Sequence, residues 1–235
     1  MSQNKKRSQK RLAIFDVDGT IFRSSLLIEL IRVFIQNGVF PLSTEKIYAK
    51  AYKDWLDRKD SYEKYINGVI KAFNQNIKKV SYKVFSRVAK KIISFHKNRV
   101  YRYTRDLIKN LKRKKYYLVA ISHSPKIILD SFCQEWGFNK TYGKMYAIDG
   151  QGKFTGEIMH FELIKDKAKI LKRVVEKENL TLKGSIGVGD TESDIGFLKL
   201  VERPICFNPN KKLYQYAKRR GWEIVVERKD VIYHI

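Results

Sequence analysis

The chain has 235 residues, of which 43% are hydrophobic, enough to bury the core of one large domain or of a domain with an insert. Its two cysteines exclude a disulfide framework, and its most apolar helical segment contains Glu29 and Arg32, which excludes a membrane span. The formal net charge is +25. We explain it first by basic residues on a solvated surface and second by binding to a polyanionic partner.

Residues 1–10 form a basic tail, which Arg11 follows. Only four apolar residues, 12–15, then precede the first aspartate, Asp16. An apolar run this short does not make the core of a secretory signal, so we expect a cytoplasmic protein. The same run begins the first predicted strand, over residues 12–17. This strand carries Asp16 at its end, and Asp18 follows it directly.

The next part of the chain, from about residue 23 to about residue 98, contains no convincing strand. Amphipathic patterns predict helices over residues 24–36, 43–58, 61–74 and 80–96. A stretch of this length is not a plain connection inside a compact domain. We therefore predict a helical-bundle cap at 23–98, inserted into an α/β core that consists of residues 11–22 and 99–235.

Four more short apolar runs follow the insert and predict buried strands, over residues 116–122, 140–148, 185–190 and 204–208. Helical patterns lie between most of them. Asp-Gly and Gly turn residues predict a β-hairpin over residues 147–158. Strands that alternate with helices predict a doubly wound, Rossmann-like α/β fold with a parallel sheet.

Four aspartates follow two of the predicted strands. Asp16 and Asp18 are two residues apart, so both project to one side at the carboxyl end of the first strand, where open α/β sheets bind ligands. Asp190 and Asp194 follow the fourth strand and are one helical turn apart. Crowded carboxylates need a cation or a raised pKa, and this number of hard oxygen ligands predicts Mg²⁺.

Ser122 ends the second predicted strand, shortly before a helix that Pro125 opens. Its hydroxyl and the neighbouring backbone N–H groups predict an anion-binding position. A strand-end serine is usually only a helix cap, and a lone helical aspartate is usually solvated. The joint placement of these residues after three strands is what favours a functional site.

The motifs resemble those of the haloacid dehalogenase superfamily of aspartate-dependent phosphohydrolases, over about residues 11–225. Asp16 to Thr20 match its Asp-x-Asp-Gly-Thr motif, and Ser122 matches its second motif. The segment from Gly189 through Asp190 to Asp194 matches Gly-Asp-x-x-x-Asp. The helical insert, the hairpin and a Gly-Trp pair near the end of the chain are similar to the phosphoserine-phosphatase-like subgroup.

The superfamily also carries a lysine on the helix before its last motif. The segment "KDKAKIL" offers Lys165, Lys167 and Lys169, and Lys167 fits best by its distance to Asp190. The resemblance then implies that Lys167 and Ser122 hold the phosphoryl oxygens. Thr20 and His123 complete the predicted phosphate-binding set, with a local packing role as the alternative for His123.

The resemblance implies phosphoryl transfer in two steps. Asp16 would attack phosphorus and form an aspartyl-phosphate, while Asp18 would protonate the leaving oxygen and then activate water. Mg²⁺ would bind Asp16, the backbone carbonyl of Asp18 and Asp190, with Asp194 as a direct or water-mediated ligand.

The chain departs from the subgroup at the substrate end. Ser24 and Ser25 lie where phosphoserine phosphatases carry a glutamate for the substrate ammonium, and Asn67 with Gly68 lies where they carry an arginine for the substrate carboxylate. We therefore predict a small phosphorylated metabolite rather than phosphoserine. Ser24, Ser25 and Asn67 are the predicted residues of the substrate pocket.

The net charge leaves two alternatives open. One is a phosphatase that acts on nucleotides or nucleic-acid ends, and the other is a non-catalytic polyanion-binding protein with the same fold. The intact set of Asp16, Asp18, Lys167 and Asp190 argues against the second. The sequence predicts no particular oligomeric state.

Overall fold

The computed structural model describes residues 9–235 and contains a sheet of eight strands flanked by helices. In chain order the strands are β1 (Lys10–Asp16), β2 (Tyr117–Pro125), β3 (Lys140–Ile148), β4 (Phe154–Met159), β5 (Leu180–Gly189), β6 (Arg203–Phe207), β7 (Glu223–Arg228) and β8 (Val231–His234). Their order across the sheet is β4-β3-β2-β1-β5-β6-β7-β8. The strands from β3 to β7 in this order pair in parallel, and β4 and β8 pair antiparallel at the two edges.

The predicted doubly wound α/β fold is therefore confirmed, as is the hairpin, which β3 and β4 form. The strands β7 and β8 were not predicted, because their apolar runs are only three residues long, at 224–226 and 231–233, and lie at a half-exposed edge of the sheet. Of the predicted basic tail, residues 1–8 lie outside the described residues. Within residues 9–235, no helix has the length and apolar content needed to cross a membrane, and the cytoplasmic location stays a prediction.

Helices connect the strands and cover the sheet. Four of them lie within residues 23–98, the predicted insert: α1 (Leu26–Gln36), α2 (Ala49–Leu56), α3 (Tyr62–Asn76) and α4 (Tyr82–His96). The others are α5 (Arg102–Arg113), α6 (Lys126–Trp136), α7 (Phe161–Ile164), α8 (Lys167–Lys177), α9 (Ile195–Leu198) and α10 (Lys211–Arg220). The segment predicted as one helix over 43–58 is instead a 3-10 helix, Leu42–Ile47, followed by α2.

The helices between β1 and β2 share one apolar core with the sheet. The ring of Phe73 on α3 lies 5.4 Å from that of Tyr146 on β3, and the ring of Phe85 on α4 lies 5.3 Å from that of Phe154 on β4. The backbone N–H of Phe154 also donates to the carbonyl of Val80, at 2.9 Å. The apolar packing continues from these helices into the sheet and marks no boundary between a core and a cap. The predicted division of the chain at residues 23 and 98 therefore stays a prediction.

The central strands decide where polar side chains meet. β1 lies between β2 and β5, with Asp16 beside Ile121 of β2 and Phe15 beside Val188 of β5. Parallel neighbours end at the same edge of a sheet, so the residues that follow β1, β2 and β5 converge there.

Candidate active site

Asp16 is the last residue of β1 and is almost fully buried, with 6% of its surface exposed. The strand before it is buried on both faces, so the carboxylate is held at the end of a rigid apolar element. A buried charge is costly unless it is paired. The residue that pairs with Asp16 is 151 positions away in the sequence.

That partner is Lys167, the first residue of α8. The helix begins there because the Asp166 side chain accepts hydrogen bonds from the backbone N–H groups of Ala168, at 3.0 Å, and Lys169, at 3.1 Å. Lys167 is 4% exposed, and its Nζ lies 2.6 Å from Oδ1 of Asp16.

Lys167 also donates to Oδ1 of Asp194, at 2.5 Å, and so bridges two buried carboxylates. Burial alone would lower the pKa of Lys167, but Asp16 and Asp194 outweigh it and raise this pKa above its ordinary value. The lysine is therefore a fixed positive charge between the ends of β1 and β5.

Asp194 holds the loop after β5 in place. Its side chain is fully buried, and its second oxygen, Oδ2, accepts hydrogen bonds from the backbone N–H groups of Asp190 and Thr191, each at 3.0 Å. The loop thus turns Asp190 toward the end of β1. Gly19 has a φ of +82°, and a Cβ there would overlap the carboxylate of Asp190, so the backbone after β1 can approach Asp190 only because residue 19 is glycine.

Asp18 is held by a different set of partners. Its Oδ1 accepts a hydrogen bond from the backbone N–H of Leu26, at 2.6 Å. Its Oδ2 accepts hydrogen bonds from the hydroxyls of Ser124, at 2.8 Å, and of Ser122. Asp16 and Asp18 are therefore stabilised separately, the first by a lysine and the second by hydroxyl and amide donors.

Three carboxylates form a group that suits a metal ion. One oxygen from each of Asp16, Asp190 and Asp194 lies within 4.8 Å of the others. Burial raises the pKa of Asp16 to about 8, against the opposing charge of Lys167. Burial, together with the charges of Asp16 and Asp194, also raises the pKa of Asp190 well above its ordinary value. Carboxylates that are costly to ionise side by side fit a hard divalent cation such as Mg²⁺.

The other predicted phosphate ligands lie at different depths. His123 follows Ser122, and burial, with the nearby charges of Lys167 and Lys144, lowers its pKa to about 4, so the ring is neutral. Thr20 is fully buried, and among the described residues its hydroxyl has no hydrogen-bond partner. The contacts of both residues with phosphate stay predictions.

The three predicted substrate-pocket residues differ in their exposure, and their contact with substrate stays a prediction. Ser24 donates a hydrogen bond to Oε1 of Glu29, at 3.1 Å, and Ser25 is 3% exposed at the start of α1. Asn67 is exposed on α3. Asn67 is five positions after Tyr62, the first residue of α3. At 100° per residue, the two side chains therefore lie about 140° apart around the helix axis.

Sequence reasoning missed several residues of this region. Ser124 lies two positions after Ser122, and the same-side rule for alternate strand residues could have found it. Glu29 is 2% exposed and binds Arg99 at 2.8 Å, a long-range pair that the sequence does not signal locally.

Comparison with known proteins identifies the family. The sequence pattern described as haloacid dehalogenase-like hydrolase matches residues 13–199. The chain is 24% identical to a histidinol-phosphatase of Neisseria meningitidis, over 92% of this chain and 98% of that protein. It is 22% identical to a phosphoserine phosphatase of Archaeoglobus fulgidus, over 89% of this chain but only 56% of that protein.

Solved structures show the same fold. A phospho-aspartyl intermediate analogue of phosphoserine phosphatase superposes with a TM-score of 0.62 and 21% identity, over 94% of this chain and 95% of that one. A protein of unknown function from Bordetella pertussis gives a TM-score of 0.71 and 16% identity, over 92% and 98%.

The chain belongs to the haloacid dehalogenase-like hydrolase family. Within it, the chain groups with the phosphoserine-phosphatase-like members and is a phosphatase. The family resemblance drawn from the motifs is therefore confirmed.

Proposed function

We propose that this phosphatase is an Mg²⁺-dependent phosphomonoesterase that hydrolyses a small phosphorylated metabolite through an aspartyl-phosphate on Asp16. The observation that carries the proposal is the placement of Asp16. It is a buried carboxylate at the end of the central strand, paired with Lys167 and adjacent to Asp190. Asp18 lies two residues further on, held by its own donors. This gives a nucleophile and a separate acid–base group in one crevice.

In the first step, an oxygen of Asp16 bonds to phosphorus while the bond from phosphorus to the ester oxygen breaks. The leaving oxygen takes a proton from Asp18. In the second step, Asp18 takes a proton from a water molecule, whose oxygen bonds to phosphorus. The bond from phosphorus to Asp16 then breaks, which releases inorganic phosphate and restores the carboxylate.

The remaining groups position the phosphoryl oxygens. Lys167 supplies a fixed positive charge beside Asp16. The hydroxyl of Ser122 accepts a hydrogen bond from the Ser124 backbone N–H at 2.9 Å, which orients it at the end of β2. We propose that this hydroxyl turns from Asp18 to a phosphoryl oxygen when substrate is bound.

The carboxylates of Asp16 and Asp190 and the backbone carbonyl of Asp18 would hold Mg²⁺. When bound, the metal supplies positive charge that offsets the repulsion between the carboxylate and the phosphate. Both oxygens of Asp194 already have protein partners, Lys167 and the loop after β5. We therefore favour the water-mediated role for Asp194 over direct ligation.

The relatives support a small substrate. The names of two of them specify phosphoserine and histidinol phosphate as substrates, and both are small phosphomonoesters. Ser24 and Ser25 lie where phosphoserine phosphatases carry a glutamate for the substrate ammonium, and this difference favours an ester other than phosphoserine.

The metal dependence can be tested on a panel of small phosphomonoesters. Protein treated with a chelator should release phosphate at a rate at least about 10²-fold below that of protein supplied with Mg²⁺. Ca²⁺, which accepts larger and less regular coordination, should restore less activity than Mg²⁺ does. Phosphate release that is equally fast after exhaustive chelation would contradict the proposed role of the metal.

A polyanionic substrate is the alternative suggested by the charge of +25. Exposed basic residues are spread over four helices, α4, α5, α8 and α10, which is the pattern of a solvated surface. We therefore expect gel-shift assays to show weak binding of nucleic acid that disappears near 200 mM salt. Tight binding at that salt concentration, with phosphate released from oligonucleotide ends, would instead favour the nucleic-acid alternative.

A further inference from the structure

Five aromatic residues of the insert pack into one group, which we call the aromatic wall. Its members are Tyr48, Tyr52, Trp55, Tyr62 and Tyr65. Trp55 and Tyr65 are stacked at 5.5 Å with an angle of 13°, and Trp55 lies 5.4 Å from Tyr62. Rings that serve only a core are buried, yet Tyr62 is 41% exposed and Tyr52 is 38% exposed. The wall therefore presents aromatic surface that a ligand can reach.

An ion-pair chain ties the wall to the catalytic loop. Glu63, next to Tyr62 in the first turn of α3, lies 3.3 Å from Lys212 of α10. The same lysine lies 2.7 Å from Glu192, two residues after Asp190. These contacts hold the beginning of α3 beside the loop that carries Asp190.

Tyr62 is the first residue of α3 and so begins the helix beside this loop. Burial raises the pKa of its phenol, and the negative charges of Asp18 and Asp190 raise it further. This direction agrees with the position that the ion-pair chain gives to the beginning of α3.

A second aromatic residue, Tyr101, lies in the part of the chain that leads into α5. Its backbone N–H donates to the carbonyl of Ile21 at 3.0 Å, and its ring packs edge-on against Phe207 at 5.0 Å. Burial and the charge of Asp190 raise the pKa of its phenol as well. The ion-pair chain thus brings the beginning of α3 to the loop after β5, while Tyr101 lies against the segment after Asp18 and the end of β6.

We infer that the leaving group of the substrate carries a planar ring, which binds between Tyr62 and Tyr101 against the aromatic wall. This inference rests on the proposed phosphomonoesterase function and narrows its substrate class. Aromatic rings favour offset or edge-on contacts with another ring over contacts with a saturated group of equal size. An ammonium group is the other ligand that aromatic surfaces bind. The guanidinium of Arg23 already lies 5.7 Å from the centre of the Tyr101 ring, which disfavours a second cation there.

The test compares benzyl phosphate with cyclohexylmethyl phosphate. The two esters release primary alcohols of similar size and acidity, so a difference in kcat/KM reports on the flat ring. We expect the protein to prefer benzyl phosphate by about tenfold, the effect of two ring contacts. Equal kcat/KM values, or a higher value for phosphocholine than for benzyl phosphate, would overturn the inference.

Two variants locate the preference. Tyr62→Leu should bring the ratio of the two kcat/KM values close to one, while Tyr62→Phe should retain it. Tyr82→Leu is the matched control, since Tyr82 is also the first residue of a helix and is 42% exposed. A Tyr62→Leu variant that melts like the wild type and keeps the full preference would contradict the inference.

If no ester is hydrolysed with Mg²⁺, the proposed function fails and the inference is tested by binding alone. Calorimetry with benzylphosphonate and cyclohexylmethylphosphonate then decides it. Binding of the first that is about tenfold tighter, and that is lost in Tyr62→Leu, supports the ring site. Equal affinities reject it.

Discussion

Replacing Asp16 with Asn is expected to lower turnover by at least about 10³-fold, the largest effect of any single substitution in this chain. An amide oxygen is a poor nucleophile, and it also lacks the negative charge that the metal site needs. The fold should be retained, because Asn has nearly the shape of Asp and removes one of several crowded negative charges. Steady-state kinetics with Mg²⁺ and thermal unfolding measure the two effects separately.

The control for this substitution is Asp149→Asn, in the exposed turn between β3 and β4. Asp149 accepts two backbone hydrogen bonds, from Gln151 and Lys153, which an asparagine can also accept. Its kcat should match that of the wild type. Mass spectrometry of acid-quenched wild-type protein should find phosphate on the peptide that contains Asp16. A variant Asp16→Asn with wild-type turnover would rule out the covalent mechanism.

Lys167→Met should cause the second largest loss, and it should affect stability as well as activity. The substitution leaves Asp16 and Asp194 buried without their shared cation, and breaking a buried ion pair in this way costs about 3–5 kcal/mol. Turnover should fall by at least about 10²-fold, because no charge remains to hold the phosphoryl oxygens. Denaturant unfolding and kinetics measure the two losses.

Lys165→Met is the matched control, since Lys165 is two residues away, exposed, and paired with Glu162 at the surface. Its unfolding free energy should change by less than about 0.5 kcal/mol. Mg²⁺ should stabilise Lys167→Met more than it stabilises the wild type, because a divalent cation compensates the same carboxylates. Equal stability of the two methionine variants would show that Lys167 is not the structural partner described here.

The sequence predicted the parts of the site that depend on local rules. The spacing of two residues between Asp16 and Asp18 predicts that both project from the end of the first strand. Asp190 and Asp194 do not share a helix face, because Asp190 lies in the loop after β5; they meet because the carboxylate of Asp194 accepts a hydrogen bond from the Asp190 backbone N–H. Parallel strands then bring the pairs to one edge of the sheet. The fold could be predicted because the alternation of strands and helices is also visible in the local sequence pattern.

The rest of the site depends on tertiary contacts that leave no periodic signal. The wall is formed when α2, α3 and the preceding 3-10 helix pack together, and nothing near Tyr62 in the sequence marks it as close to Asp190. The burial of Glu29 depends on Arg99, seventy positions away. The strands β7 and β8 escaped prediction because their apolar runs are short, and the pairing of β7 with β6 and of β8 with β7 keeps them in the sheet.

The shared apolar core also determines how substrate enters and phosphate leaves. Rotating the whole insert away from the sheet would pull Phe73 from Tyr146 and Phe85 from Phe154, which costs roughly 2 kcal/mol for each ring returned to water. At the other end none of the side chains of α2 is buried, and the Glu63–Lys212 pair is exposed and contributes less than about 1 kcal/mol. We therefore expect any opening of the insert to pivot near the β3–β4 hairpin, and the aromatic wall at its other end to be displaced the furthest.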